Sequence, residues 1–364
     1  MLFEDECKFL KILSMRRKNE ENNDPNNGGE PIYRLEDLAE LAGVSVSTVS
    51  RALNNSALVS DRTKRKIREI AQANNYEGRF RDRVSGAQPT KTISVVIPPP
   101  QGRESRISDP FLLDLIGGIA DALREAGADL LISHTAPTDF DEIMGTIGAG
   151  RADGMIFVGQ STLHTHLNAL ARQNIPFVVW GAKLPNQDYC AVGSDNRRGG
   201  HRATSHLLRL GRRKIAFIGD VDAPEVQLRY QGYCDALSEA GVKLQEELVQ
   251  PAHFYVESAI EAVEILLERN VEFDGICAAA DLIAVGTIRG LLKNGKRVPQ
   301  DVSVIGYDDI HMADYFSPSL STIRQDVRKA GRLLVSKILR RIEGEPVRSE
   351  LLPTELIIRE SCGA

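Results

Sequence analysis

Residues 38–54 read Leu38-Ala39-Glu40-Leu41-Ala42-Gly43-Val44-Ser45-Val46-Ser47-Thr48-Val49-Ser50-Arg51-Ala52-Leu53-Asn54. Together with Leu35 just upstream, Leu38, Ala39 and Ala42 recur at helical spacing and Gly43 ends the run. Ser45 then offers a side-chain oxygen to cap a second helix, whose inward face takes Val46 or Val49 together with Leu53. Residues 60–74 form a third helix, with Ser60 as its cap and Ile67, Ile70 and Ala71 inward. Three short helices, the first two joined at small residues that allow close approach, fit a helix-turn-helix domain.

The second helix presents chemistry at its N-terminal end. Ser45, Ser47 and Ser50 are short donors, and the unpaired backbone amides of the first turn suit a phosphate. Arg51 is the long donor of this helix and can pair in two places with a guanine edge. The plain alternative is a helical hairpin with an ordinary surface arginine. Arg62, Lys64, Arg65, Lys66 and Arg68 follow on the third helix, either as a solvated face or as phosphate-steering charges. The whole chain carries a net charge of −5, yet residues 31–91 hold eleven Lys/Arg against seven Asp/Glu. A small basic module joined to an acidic remainder can hold phosphate locally.

The rest of the 364-residue chain follows a different grammar. Apolar strand candidates at 93–98, 128–133, 154–159, 175–180, 214–219, 275–280 and 302–307 alternate with helical stretches at 111–126, 163–173, 196–210, 228–240, 256–269, 281–294 and 325–342. Such alternation calls for parallel sheets covered by helices on both faces. Its length implies two α/β lobes with a ligand cleft between them. Residues 1–30 are read as a flexible leader, with Met15 as a second possible start, and 77–91 as a hinge or linker. No apolar run approaches a membrane span and no secretory leader is recognisable, so a cytoplasmic protein without a membrane partner is expected.

Catalytic and cofactor signatures are missing: there is no GxSxG, HExxH or complete phosphate loop GxxxxGK[ST], since GLLKNGK at 290–296 is followed by Arg297, and the protein is not expected to be an enzyme. Cys7, Cys190, Cys234, Cys277 and Cys362 are odd in number and widely spaced, which reads as reduced structural thiols. His164 and His166 lie two apart on a helix and point different ways, a poor arrangement for a metal. No metal or cofactor is expected. Asp195, Asn196 and Asp281 read as caps and turn supports.

Several passages together resemble the lactose-repressor/galactose-repressor type of bacterial transcriptional regulators. They are LEDLAELAGVSVSTVSRALNNSALVSDRTKRKIREIAQANNY, GSDNRRGG, LGRRKIAFIG, LRYQGYCDAL, NGKRVPQDVSVIGYDDI, SPSLSTIRQD and LPTELIIRES, in order from about Tyr33 to Ser361. The resemblance implies a DNA headpiece at 31–76, a hinge at 77–91, and a two-lobed effector-binding and dimerisation domain at 92–361, shaped like periplasmic binding proteins. It places Val46, Ser47 and Arg51 at base-reading positions, and Ser45, Thr48, Asn54 and Ser60 where the family approaches the DNA backbone or supports the fold.

By the same resemblance Phe111, Trp180, Arg229, Phe254 and Asp308 are the effector-binding candidates, with aromatic rings for a sugar face and Arg229 and Asp308 as donor and acceptor. Trp180 ends a strand and has an equal reading as core packing. Two departures stand out. The hinge wedge position carries Ser85 after Val84, so either Val84 takes the wedge or the operator is bent less. Gly181 stands where many relatives carry an aspartate.

The expected function is a homodimeric repressor of carbohydrate uptake or catabolism genes. It would bind double-stranded operator DNA and leave it when a small effector occupies the cleft, a sugar or glycoside in preference to a purine. With no leucine-heptad segment after LPTELIIRES, assembly beyond the dimer is not expected. A solute-binding protein would account for residues 92–360 but leaves 33–75 unexplained.

Overall fold

A computed structural model of the chain describes residues 35–53, 59–73, 91–98, 108–133, 152–160 and 163–364. The leader at 1–30, Asn54, Val84, Ser85 and nearly all of the 77–91 segment lie outside the described residues. The chain divides into two units, Met1–Gln88 and Pro89–Ala364.

In the first unit, α1 (Leu35–Ala42), α2 (Val46–Leu53) and α3 (Asp61–Ala73) surround one small core. Leu38, Ala39, Ala42, Val49, Ala52, Val59 and Ile67 are buried there, with Val44 and Ile70 against them. Gly43, at φ +66°, ends α1 in the left-handed region that glycine enters without steric cost. The Val44 amide reaches back to the Ala39 carbonyl and the Gly43 amide to that of Glu40, which satisfies the last turn and sets the angle into α2. Of the two valines that can face inward on α2, Val49 is buried and Val46 is exposed.

The second unit holds two mostly parallel sheets. The first contains β1 (Thr92–Val96), β2 (Asp129–Ile132), β3 (Gly154–Val158), β4 (Phe177–Trp180), β5 (Ala191–Ser194) and β11 (Glu350–Leu352), in the order β11-β5-β4-β3-β1-β2. The second contains β6 (Ile215–Ile218), β7 (Val249–Gln250), β8 (Gly275–Ala278), β9 (Ser303–Asp308), β10 (Thr322–Arg324) and β12 (Glu355–Ile357), ordered β12-β10-β9-β8-β6-β7. All first-sheet pairs are parallel. In the second sheet only β12 runs antiparallel, against β10.

The covering helices are α4 (Pro110–Ala126), α5 (His164–Arg172), α6 (Asn196–Arg209), α7 (Pro224–Glu239), α8 (Val256–Glu268), α9 (Asp281–Lys293) and α10 (Val327–Ile342). The chain passes between lobes three times, after β5, after β10 and between β11 and β12. Each lobe has its own apolar core, and α10 closes the first through Ala330, Leu334, Val335 and Ile338. No described helix is long and apolar enough to cross a membrane.

Two contacts hold the helices that matter for the cleft. The backbones of α6 and α7 come so close that a Cβ at Gly200 would overlap the Arg229 carbonyl, and one at Gly232 would lie 2.6 Å from the His201 nitrogen. Only glycine permits this approach. At the start of α4, the Asp109 carboxylate accepts from the Phe111 amide at 2.8 Å and the Leu112 amide at 3.4 Å, with Pro110 in the first turn.

Candidate nucleic-acid and effector sites

On the headpiece, the Ser45 hydroxyl accepts from the Thr48 amide at 3.2 Å and the Ser60 hydroxyl accepts from the Thr63 amide at the same distance. Both serines therefore cap the helices that follow them. Ser45, Val46, Ser47 and Arg51 are exposed and Thr48 is half-buried. The residues singled out on α2 thus leave its inward face to Val49 and Ala52.

The basic third helix is not uniform. Lys64 is buried, and Lys66 donates to the Ala42 carbonyl at 3.3 Å, tying α3 to the α1 turn. Arg62 and Arg65 point to solvent. Part of the positive run therefore builds the headpiece, while Arg62 and Arg65 stand outward.

In the second unit the C-terminal ends of the parallel strands carry the polar groups, as expected for a cleft in an open α/β sheet. Arg229 on α7 is buried and multiply held. Its Nε donates to Asn196 Oδ1 at 2.8 Å, its Nη1 donates to the Ala279 carbonyl, and its guanidinium lies 3.7 Å from the centre of the Tyr307 ring. The same guanidinium approaches Asp308 Oδ1 to 3.9 Å. Asp308 ends β9 with φ 124°, an unusual backbone for a non-glycine residue, and accepts from Gln325 Nε2 at 2.7 Å.

Burial pushes the Asp308 carboxyl up to about 7, against the opposing pull of Arg229; the Asp109 charge adds to the rise. Asp109 belongs to the first lobe and Asp308 to the second, so the two carboxylates interact across the gap. Asp109 is itself raised by burial.

The aromatic candidates divide. Phe111 packs against both lobe cores, and its ring centre is 6.1 Å from that of Trp180. Trp180 is 6% exposed at the end of β4, so most of its ring is core. Phe254 is exposed after β7 and makes no ring contact with either among the described residues. The structure thus brings together Phe111 with Trp180 and Arg229 with Asp308, and leaves Phe254 apart from both pairs.

Residues that the sequence reading did not single out for binding complete the arrangement. Asn196 and Gln325 hold the arginine and the aspartate, and both flank inter-lobe crossings. Gln160, just past β3, is fully buried and donates through Nε2 to the Ala182 carbonyl. Glu225, in the first turn of α7, accepts from the Ala182 amide at 3.3 Å across the lobes. The Asp109-Pro110 pair at the head of an apolar helix was a readable cap signal. Gln160 had none, because its setting depends on Gly181 and on α7.

Asp281 serves as a support: it is buried and accepts from the Ile310 amide at 2.9 Å and the Thr322 hydroxyl at 2.6 Å. Asp195 caps α6 through the Arg198 amide at 3.1 Å. His164 Nδ1 bonds with the Tyr189 hydroxyl at 2.9 Å. Among the described residues no group of three His, Cys, Asp or Glu side chains is placed to hold a metal.

Residues 34–78 match the lacI family of bacterial regulatory proteins, and residues 204–362 match the periplasmic binding protein-like domain. The HTH-type transcriptional regulator CelR of Thermobifida fusca is 32% identical over 334 residues, covering 90% of this chain and 97% of its own. The chain belongs to the lacI family. It is a DNA-binding transcriptional regulator and, like its relatives, not an enzyme. The ribose operon repressor of Haemophilus influenzae matches this LacI-family regulator at 32% identity over 336 residues, 90% of the chain and 98% of the relative. The solved CelR–cellobiose complex superposes with a TM-score of 0.67 at 30% identity, covering 90% of this chain and 99% of that one.

Proposed function

We propose that this regulator represses genes of carbohydrate uptake or catabolism and leaves its operator when a small sugar-like effector occupies the cleft between the lobes. The observation that carries the reading is the buried Arg229–Asp308 pair, whose carboxylate feels Asp109 of the first lobe at the head of the helix that carries Phe111 against Trp180. A guanidinium, a carboxylate and aromatic faces suit a ring bearing several hydroxyls. The solved relative holding cellobiose supports a saccharide over a purine.

Asn196 and Gln325 give the pair a route to the lobes. Each binds one member of the pair and sits beside a crossing segment. A ligand that reorganises Arg229 or Asp308 changes the support of those crossings, and the lobe arrangement shifts with it. By linkage, effector and operator alter each other's affinity by the same factor.

Operator recognition falls to α2. Arg51 carries the direct hydrogen bonding, Val46 and Ser47 supply apolar and short polar contacts, and Ser45, Thr48 and Ser60 meet the backbone, together with Asn54 outside the described residues. The hinge role falls to Val84 and Ser85, also outside them. The protein works in the cytoplasm as a homodimer, two headpieces matching a two-fold operator, within the boundaries 31–76, 77–91 and 92–361.

The test is a thermal-shift panel of neutral mono- and disaccharides, purines and sugar phosphates on the full chain, followed by operator selection from random duplex DNA. A concentration-dependent rise with a saccharide supports the reading. A rise with purines alone, or with none of the compounds, overturns it.

A further inference from the structure

We propose that Arg324 is the positioning residue that carries the state of Asp308 to the hinge between the lobes. It acts on the Asp309 carboxylate and, through Glu355, on the third inter-lobe crossing. The link presupposes that an effector controls operator binding, and it names the residue through which that control passes.

The turn after β9 is held in a costly backbone. Asp308 and its neighbour Asp309 both have positive φ, 124° and 60°. Two such non-glycine residues in a row persist only where surrounding groups fix them. The Asp309 side chain is more than nine-tenths buried, and two guanidiniums share its carboxylate. One oxygen accepts from Arg324 Nε at 2.7 Å and the other from Arg359 Nη2 at 2.8 Å. Arg324 ends β10, facing Asp308 in the pairing with β9 and Glu355 in the pairing with β12. A shift at Asp308 therefore moves Asp309, and with it the guanidinium that Asp309 holds.

The two arginines differ in freedom. Arg359 is 15% exposed and donates as well to Asp314 at 3.1 Å and to the Leu320 carbonyl at 2.7 Å, which makes it a fixed post. Arg324 is 45% exposed, and its Nη1 donates to Glu355 Oε2 at 3.2 Å, on a side chain that is 68% exposed. An exposed pair of this kind adds little to stability and can break without unfolding the chain. Of the two, Arg324 is the one able to move.

Glu355 opens β12 directly after Pro353 and Thr354, the third crossing between the lobes. The other two crossings bear on this segment. At the first, the Asp195 amide donates to the Leu352 carbonyl at 2.9 Å, and Arg202 of the following helix α6 donates to the Thr354 carbonyl. At the second, Arg324 reaches Glu355. The third crossing is thus the brace for the other two, and Arg324 joins it to the turn that carries Asp308.

The experiment uses full chains of wild type, Arg324→Met, Glu355→Ala and the double variant. Each is titrated by anisotropy with an operator selected from random duplex DNA, with and without whichever neutral saccharide, purine or sugar phosphate raises the thermal midpoint. The readout is the factor by which that compound changes operator affinity, checked by the reciprocal titration. The wild-type factor should lie within about 5- to 150-fold and fall about fivefold or more, toward one, in each single variant. The double variant should fall no further, as expected for two residues in one link. Thermal midpoints should stay within about 3 °C of the wild type. Glu355→Ala, at an exposed position, carries the test if Arg324→Met does not fold. A wild-type factor that both single variants retain overturns the link while effector control stands. A factor that falls only in step with the thermal midpoint marks a structural pair and overturns it too. A wild-type factor of one, or no compound that binds, overturns effector control and this proposal with it.

Discussion

The Arg229 guanidinium stands 3.9 Å from the Asp308 carboxylate, and both side chains are more than nine-tenths buried. Neither is held by the other alone: Asn196 and the Ala279 carbonyl fix the arginine, and Gln325 fixes the aspartate. Removing the cation leaves Asn196 and a backbone carbonyl without their donor and Asp308 without its opposing charge. Arg229→Met should therefore cost about 3–5 kcal/mol of stability, the range for a broken buried pair. Chemical denaturation of the full chain measures it, and a loss below about 1 kcal/mol would show that the pair is not embedded as described.

Asp308 also gives stability a pH dependence of definite sign. Its carboxyl is held up at about 7 by burial, whereas an unfolded chain releases that proton near about 3.9. Between those values the folded state keeps a proton that the unfolded chain has lost, so stability falls as pH rises and levels off above the folded value. Asp281, raised by burial and by the Asp308 charge, acts in the same direction. Thermal midpoints of wild type and Asp308→Asn across this window check it. The wild-type fall should be the steeper, and parallel curves would exclude the assignment.

The headpiece predicts a separation of stability from affinity. Arg51 is exposed on α2, whereas Lys66 bonds to the Ala42 carbonyl. Arg51→Ala should leave the thermal midpoint unchanged and cost about 1–3 kcal/mol of operator binding, with relaxed preference at one base pair. Arg62→Ala should weaken all sequences alike and reduce the salt slope by about one unit. Anisotropy titrations on selected and scrambled duplexes at several salt concentrations distinguish the two.

The close approach of α6 and α7 is a further point of failure. A methyl at Gly232 would meet Arg197 and His201 backbone atoms, which cannot swing aside as a flexible side chain would. Gly232→Ala should cost about 1–3 kcal/mol by overpacking. It should also move Arg229, three residues earlier on the same helix, so effector response weakens along with stability. A variant with an unchanged melting curve would contradict the packing.

Much of the architecture was legible because parallel strands buried on both faces leave continuous apolar runs, as in IAFI of β6 and FVVW of β4. The strands β5, β7, β10, β11 and β12 escaped that reading. They are two to four residues long, and ELL of β11 takes its place by pairing with β5, a register no local pattern announces. Helix α7 begins at Pro224, ahead of the expected 228, because proline suits a first turn even without a side-chain cap. Of the effector candidates, Arg229 and Asp308 meet and Phe111 reaches Trp180, whereas Phe254 is exposed and apart from both pairs, a distance that no local pattern announces.

The most direct test of the whole account is an anisotropy titration of the full chain against its selected operator, with and without a saturating saccharide that raises the thermal midpoint. A switch of ordinary size changes affinity by about 5- to 150-fold. The account predicts a weakening of operator binding within that range, abolished in Arg229→Met. Equal operator affinity with the cleft saturated would contradict it.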